Sequence, residues 1–157
     1  MMGYRKKEGW SLVELAIVVV IIGILATLAI PVFKLILLRS RLSGLASDLR
    51  THSEAFHRYA MEEGDYPPSF GSTISPEMTG YLSSTWQEPS PVGGRFTWEK
   101  TAGAKASTYI QIVEGGAKPF AIGLADVVRL DDKIDDGNLS SGYLQVAGNR
   151  IRYYLQL

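Results

Sequence analysis

One carboxylate, standing at the head of a long apolar run, is the residue best placed to do chemistry. Glu14 precedes Leu15 to Phe33, a stretch of 19 residues without a charge. A charged side chain costs about 2.5 to 3.5 kcal/mol at the centre of a bilayer and less near the interface, so such residues need a partner. On a helix, Glu14 lies about 6 Å along the axis from Trp10. A cut between Gly9 and Trp10 would create a new amino group at the helix start. A second copy, displaced by a few residues along the axis, can then set its amine against Glu14. Charge neutralisation in a low-dielectric bundle favours addition of the next copy. The alternatives are a snorkelling carboxylate on a plain signal anchor for Glu14, and a linker glycine for Gly9.

A second set of candidates is acidic. Asp131, Asp132, Asp135, Asp136 and Asn138 crowd a Gly-containing loop and offer the hard oxygen donors that calcium takes. The EF-hand spacing fails, however. With Gly137 at the turn position, Ile134 falls where a ligand belongs and Tyr143 where the bidentate glutamate belongs. A solvated, turn-forming loop is the competing reading. His52 and His57 are five apart and do not share a helix face as i, i+4 ligands would. No Ser-His-Asp, P-loop or dinucleotide pattern is recognisable, so no enzyme is expected. The absence of cysteines excludes a disulfide framework and thiolate metal sites. Sixteen basic and 16 acidic residues balance, and no basic patch points to nucleic acid.

These residues need elements to hold them. The uncharged run approaches the roughly 20 residues that cross a bilayer as a helix. It is longer than the apolar core of a secretory signal peptide, and Pro31-Val32-Phe33-Lys34 offers no small-residue cleavage site. Basic residues flank it on both sides, with Arg5, Lys6 and Lys7 before and Lys34, Arg39, Arg41 and Arg50 after. The positive-inside rule therefore leaves orientation open. Beyond the run, Leu42, Leu45, Leu49, His52, Phe56 and Tyr59 recur at spacings of three and four, one face of a helix packed on a core. Gly64 and Pro67-Pro68 are stop signals. An unbroken helix from Trp10 to Glu63 would be about 80 Å long. Its first half must find lipid or copies of itself.

Residues 64 to 94 hold five of the seven prolines. Tyr66, Phe70, Met78, Tyr81, Leu82 and Trp86 argue that this loop packs down. Strands are expected at Arg95 to Lys100, Thr108 to Val113, Gly142 to Val146 and Arg150 to Gln156. Ala147-Gly148-Asn149 forms a hairpin turn between the last two. Leu124, Val127, Val128 and Leu130 suit a short helix or a strand, with the balance toward helix. The fold class is α+β: a long N-terminal helix, apolar half protruding, packed on a small C-terminal antiparallel sheet.

Lys6-Lys7-Glu8-Gly9, Trp10-Ser11-Leu12-Val13-Glu14 and the apolar run to Pro31 together resemble the prepilin N-terminus of type IV pilins and type II secretion pseudopilins. Gly9 matches the residue before the cleavage site and Trp10 the first mature residue, where phenylalanine is more usual. Glu14 matches the fifth-position glutamate, and Pro31, with Gly23, the helix-loosening positions. The resemblance implies a pilin-like fold and a cytoplasmic N-terminus. It further implies cleavage and N-methylation at Trp10 by a prepilin peptidase, then passage from the inner membrane, through an assembly platform, into a helical filament of like subunits. Its domains would be a leader (1–9), a transmembrane and filament-core helix (10–34), an amphipathic half (35–63) and a head (64–157). Pilus subunit is the first functional expectation. A secretion pseudopilin, whose major type binds calcium in a C-terminal loop, is the second. A membrane-anchored binding domain that never polymerises is a third, from another class. Surface or extracellular filament, or periplasmic pseudopilus, are the corresponding locations.

Overall fold

The computed structural model describes residues 10–102, 107–115 and 119–156. The chain divides into two compact units, one ending at Leu38 and one running from Arg39 to Leu157. Helix α1 spans Leu12–Glu63 and contributes to both.

In the first unit every described residue from Trp10 to Leu37 is exposed. β-Branched and leucine side chains line this stretch on all sides, the composition of a helix solvated by something other than water. Helical backbone continues through Pro31, although proline cannot donate the usual hydrogen bond.

In the second unit, α1 buries Leu42, Leu45, Leu49, His52, Ser53, Ala55 and Phe56, a single stripe at the spacing read from sequence. Tyr59, the last residue of that spacing, is only half-buried. It packs edge-on against Tyr81 instead, at 5.3 Å. The helix stops at Gly64, whose φ of +83° suits the left-handed cap that glycine adopts without steric cost.

Four strands form one antiparallel sheet in the order β1-β2-β4-β3. They are β1 (Arg95–Lys100), β2 (Thr108–Val113), β3 (Leu144–Val146) and β4 (Arg150–Gln156). Helix α2, Leu124–Ile134, stands between β2 and β3 in the chain. Trp98 lies opposite Ile110 and Phe96 opposite Ile112, while Ile112 in turn faces Ile151. Alternate residues thus send one set of side chains to the core. The expected strand from Gly142 begins two residues later. Gly142 has φ +71°, and the Tyr143 amide donates to the Asp135 carboxylate rather than to a strand.

Aromatic rings join α1 to the sheet. Phe56 stacks on Trp98 at 3.8 Å and meets Trp86 edge-on at 5.6 Å. Trp86 comes from the loop after α1, which packs down as expected through buried Met78, Leu82 and Trp86. The indole N–H groups are satisfied as buried indoles require. Trp98 donates to the Pro67 carbonyl at 3.0 Å and Trp86 to that of Gly71 at 3.2 Å.

His52 is enclosed by this aromatic cluster. Its ring meets Trp86 at 5.1 Å and Phe96 at 4.9 Å, and neither ring nitrogen has a partner among the described residues. Burial lowers its pKa to about 4. The native state therefore binds the proton less readily than the unfolded chain, whose histidine titrates near 6.5. Stability from this group is complete above pH 6.5 and is lost as pH falls toward 4. Comparing melts of His52→Leu with the parent should show this acid-sensitive step vanish, a difference of roughly 1 to 3 kcal/mol. Identical pH profiles would show that the native ring is hydrated.

Candidate functional site

Two places gather chemistry, one in each unit. At the start of α1, Ser11 and Glu14 close a reciprocal cap. The Ser11 amide donates to Glu14 Oε2 at 2.9 Å, and the Glu14 amide donates to Ser11 Oγ at 3.2 Å. This Ser-x-x-Glu box satisfies two amides that a helix start leaves free. Placing an acid in the first turn also suits the positive end of the helix dipole. Glu14 thus has a role within its own chain that the amine-pairing idea did not require. The signal was legible in Ser11-Leu12-Val13-Glu14.

Trp10, beside this cap, is 72% exposed. Gly9 lies outside the described residues. Gly23 has open space where a Cβ would stand, and Thr27 Oγ1 donates to the Ile24 carbonyl at 2.7 Å. Gly23 and Pro31 both sit within continuous helix.

The acidic residues of the second unit divide. Asp131 and Asp132, expected in a loop, belong to the last turns of α2. Asp135 is its C-terminal cap residue, with its amide donating to the Asp131 carbonyl at 2.7 Å. Carboxylate oxygens of Asp131, Asp135 and Asp136 lie within 4.8 Å of one another. Asp132 and Asn138 are outside this trio. Asn138 instead accepts from the Ser140 amide at 3.2 Å.

The chain fixes two of the three carboxylates. Asp135 accepts from the amides of Tyr143 and Leu144. Asp136 accepts from the Asn138 amide at 2.8 Å and the Ser141 hydroxyl at 2.9 Å, and these bonds hold its pKa below the usual value. Gly142 is needed here, because a Cβ at that position would run into the Asp135 carboxylate.

Asp131 is different. It is fully buried, and neither oxygen has a partner of good hydrogen-bond geometry among the described residues, with only a minor pull from the Gly137 amide. Burial first, then the charges of Asp135, Asp136 and Asp132, push its pKa up to about 6. A buried carboxylate against two like charges calls for a proton or a cation. Oxygens at this separation can share one ion with bonds of about 2.3 to 2.6 Å, the calcium range.

The long N-terminal helix and the four-stranded antiparallel sheet define a pilin-like α+β fold. Among solved structures, the chain is similar to the major type IV pilin PilA1 from Clostridium difficile. The TM-score is 0.56 at 15% identity, and the match covers 76% of this chain and 97% of that one. At such low identity the likeness concerns the fold alone. No protein-family model matches the sequence, and no curated protein does.

Proposed function

We propose that this chain is a structural subunit of a type IV pilus-like filament, polymerising through its N-terminal helix once the leader has been removed. The observation that carries this is the half of α1 whose side chains are exposed from Trp10 to Leu37. It is long and apolar enough to cross a membrane. No soluble monomer leaves so much apolar surface uncovered without a use for it. Lipid would cover it first, then sister helices. A prepilin peptidase would cut after Gly9, methylation would follow at Trp10, and an inner-membrane platform would lift subunits into the polymer. Glu14, holding the first turn through one oxygen, keeps a second oxygen for the incoming amine. Gly23 and Pro31 would loosen the stem during packing.

Mass spectrometry of the mature chain tests this directly. A chain beginning at a methylated Trp10 is expected. A chain retaining residues 1–9 and remaining monomeric in the membrane would instead mark a membrane-anchored binding domain.

The buried, unpartnered Asp131 supports a second reading within the same class, a calcium-bearing pseudopilin of type II secretion. Asp131, Asp135 and Asp136 would hold the ion, with Asp132 and Asn138 outside its immediate contacts. Calcium there would neutralise the trio and brace the start of β3 through Asp135. Filaments visible outside cells favour the pilus subunit, and short periplasmic polymers the pseudopilin.

A further inference from the structure

A polar groove of about 310 Å³ runs between α1 and α2, wholly within the second unit. Its wall carries Arg50 from α1 and Lys133 from α2, with the hydroxyl residues Ser43, Ser47 and Thr51 around them and Glu54 as its only carboxylate. Neither cation belongs to an ion pair, because the described residues form only Lys100–Asp65 and Arg129–Asp126. Tyr153 lines the adjoining cleft beside Arg50 and Lys133. Two cations, one from each helix, thus face an open groove that holds a single carboxylate.

The opposite charge collects farther along the same helix. Glu62 and Glu63 occupy the last turn of α1, which has no basic residue. Acids there oppose the helix dipole, whose C-terminal end is negative. Glu77, Glu63 and Asp65 gather near the Tyr59 hydroxyl, where Lys100 supplies a cation among the three carboxylates. Asp65 is paired with Lys100 and Glu62 accepts from the Tyr81 hydroxyl. Glu63 and Glu77 have no cationic partner among the described residues. Such an arrangement is unfavourable in an isolated head and becomes favourable against a cationic surface.

We propose that the α1–α2 groove, through Arg50 and Lys133, receives the acidic C-terminal end of α1 from a second copy, through Glu62 and Glu63. The proposal rests on the filament reading. Residues 50 and 62 to 63 are about 18 to 20 Å apart along the helix. A copy displaced by that amount brings the two surfaces into register. The displacement exceeds the few residues needed to set an amine against Glu14, so the groove addresses a different neighbour. Because the two surfaces differ, the contact is head-to-tail and propagates without closing.

The test uses the full-length chain in its own membrane, with polymer yield measured by shearing and sedimentation. Arg50→Glu with Lys133→Glu should lower the yield about tenfold, as should Glu62→Lys with Glu63→Lys. Combining all four should restore it to within about twofold. All four side chains are exposed, so head folding should survive, as checked by tryptophan emission. A combination no better than its halves would overturn the proposal. So would halves that polymerise like the parent, the result expected if the groove instead held a lipid headgroup or a free anion. Independently, Ser47→Cys with Met61→Cys in the charge-intact chain places the only two thiols 14 positions apart on one helix, about 21 Å. A short bis-maleimide should then produce a ladder of linked copies. Polymer without a ladder overturns the groove contact alone. A parent that forms no polymer overturns the filament reading as well.

Discussion

Glu14→Gln should leave the first turn of α1 formed and still lower polymer yield by at least tenfold. The cap requires an oxygen that accepts from the Ser11 amide, 2.9 Å away, and glutamine supplies one. The incoming amine requires a counter-charge, and glutamine has none. A charged pair is roughly twice as strong as its neutral counterpart, and the apolar bundle enlarges the difference. Two further variants separate the roles. Glu14→Ala loses cap and charge together. Ser11→Ala keeps the charge, weakens the helix start by about 0.5 to 2 kcal/mol, and should still polymerise. Membrane insertion, followed by fractionation, should be unchanged in all three. Normal filaments from Glu14→Gln would leave Glu14 as a capping residue and nothing more.

Calcium should raise the melting temperature of the parent and leave Asp131→Asn unmoved. Ligand binding to the native state at 100 to 1,000 times its dissociation constant contributes about 2.7 to 4.1 kcal/mol. The ion-free protein should behave in the opposite sense on acidification. The pKa of Asp131, pushed up to about 6 in the folded chain, stands above the unfolded value near 3.9. Its carboxylate therefore opposes folding at pH 7. This penalty is relieved as pH falls through 6 toward 4. Asp131→Asn removes the penalty, so without calcium it should be more stable than the parent at pH 7.5, with the gap closing at low pH. Thermal melts with chelator and with excess calcium at pH 7.5 and 5 provide the comparison. A parent indifferent to calcium at both would remove the ion from the account.

Much of the architecture was legible because it rests on local rules. The three-and-four spacing from Leu42 to Phe56 announced a buried helix face. The β-branched and aromatic residues of Arg95–Lys100 and Thr108–Val113 marked both strands at their observed limits. What escaped depended on distant parts of the chain. The acidic run from Asp131 to Asp136 looks like one solvated loop in sequence. Only the extension of α2 to Ile134 turns Asp131 into the interior while leaving Asp132 outside. The late start of β3 follows from Asp135 capturing amides eight and nine positions ahead, which no periodicity records. The Arg50–Lys133 groove likewise joins residues from two helices far apart in sequence. At the start of α1 the omission was different. Ser11 and Glu14 have the spacing of a cap, but a carboxylate at the head of an apolar run is equally a charge in need of a partner, and local spacing does not separate the two roles.

The ring cluster of Phe56, Trp98 and Trp86 ties the helix to the sheet in a chain that contains no cysteine. Its closure waits on no thiol oxidation, which takes seconds to hours and an oxidising partner. The head should therefore mature without waiting for an oxidant, whether oxygen is plentiful or absent. A reductant that dismantles disulfide-stapled surface proteins would find nothing in it to cut.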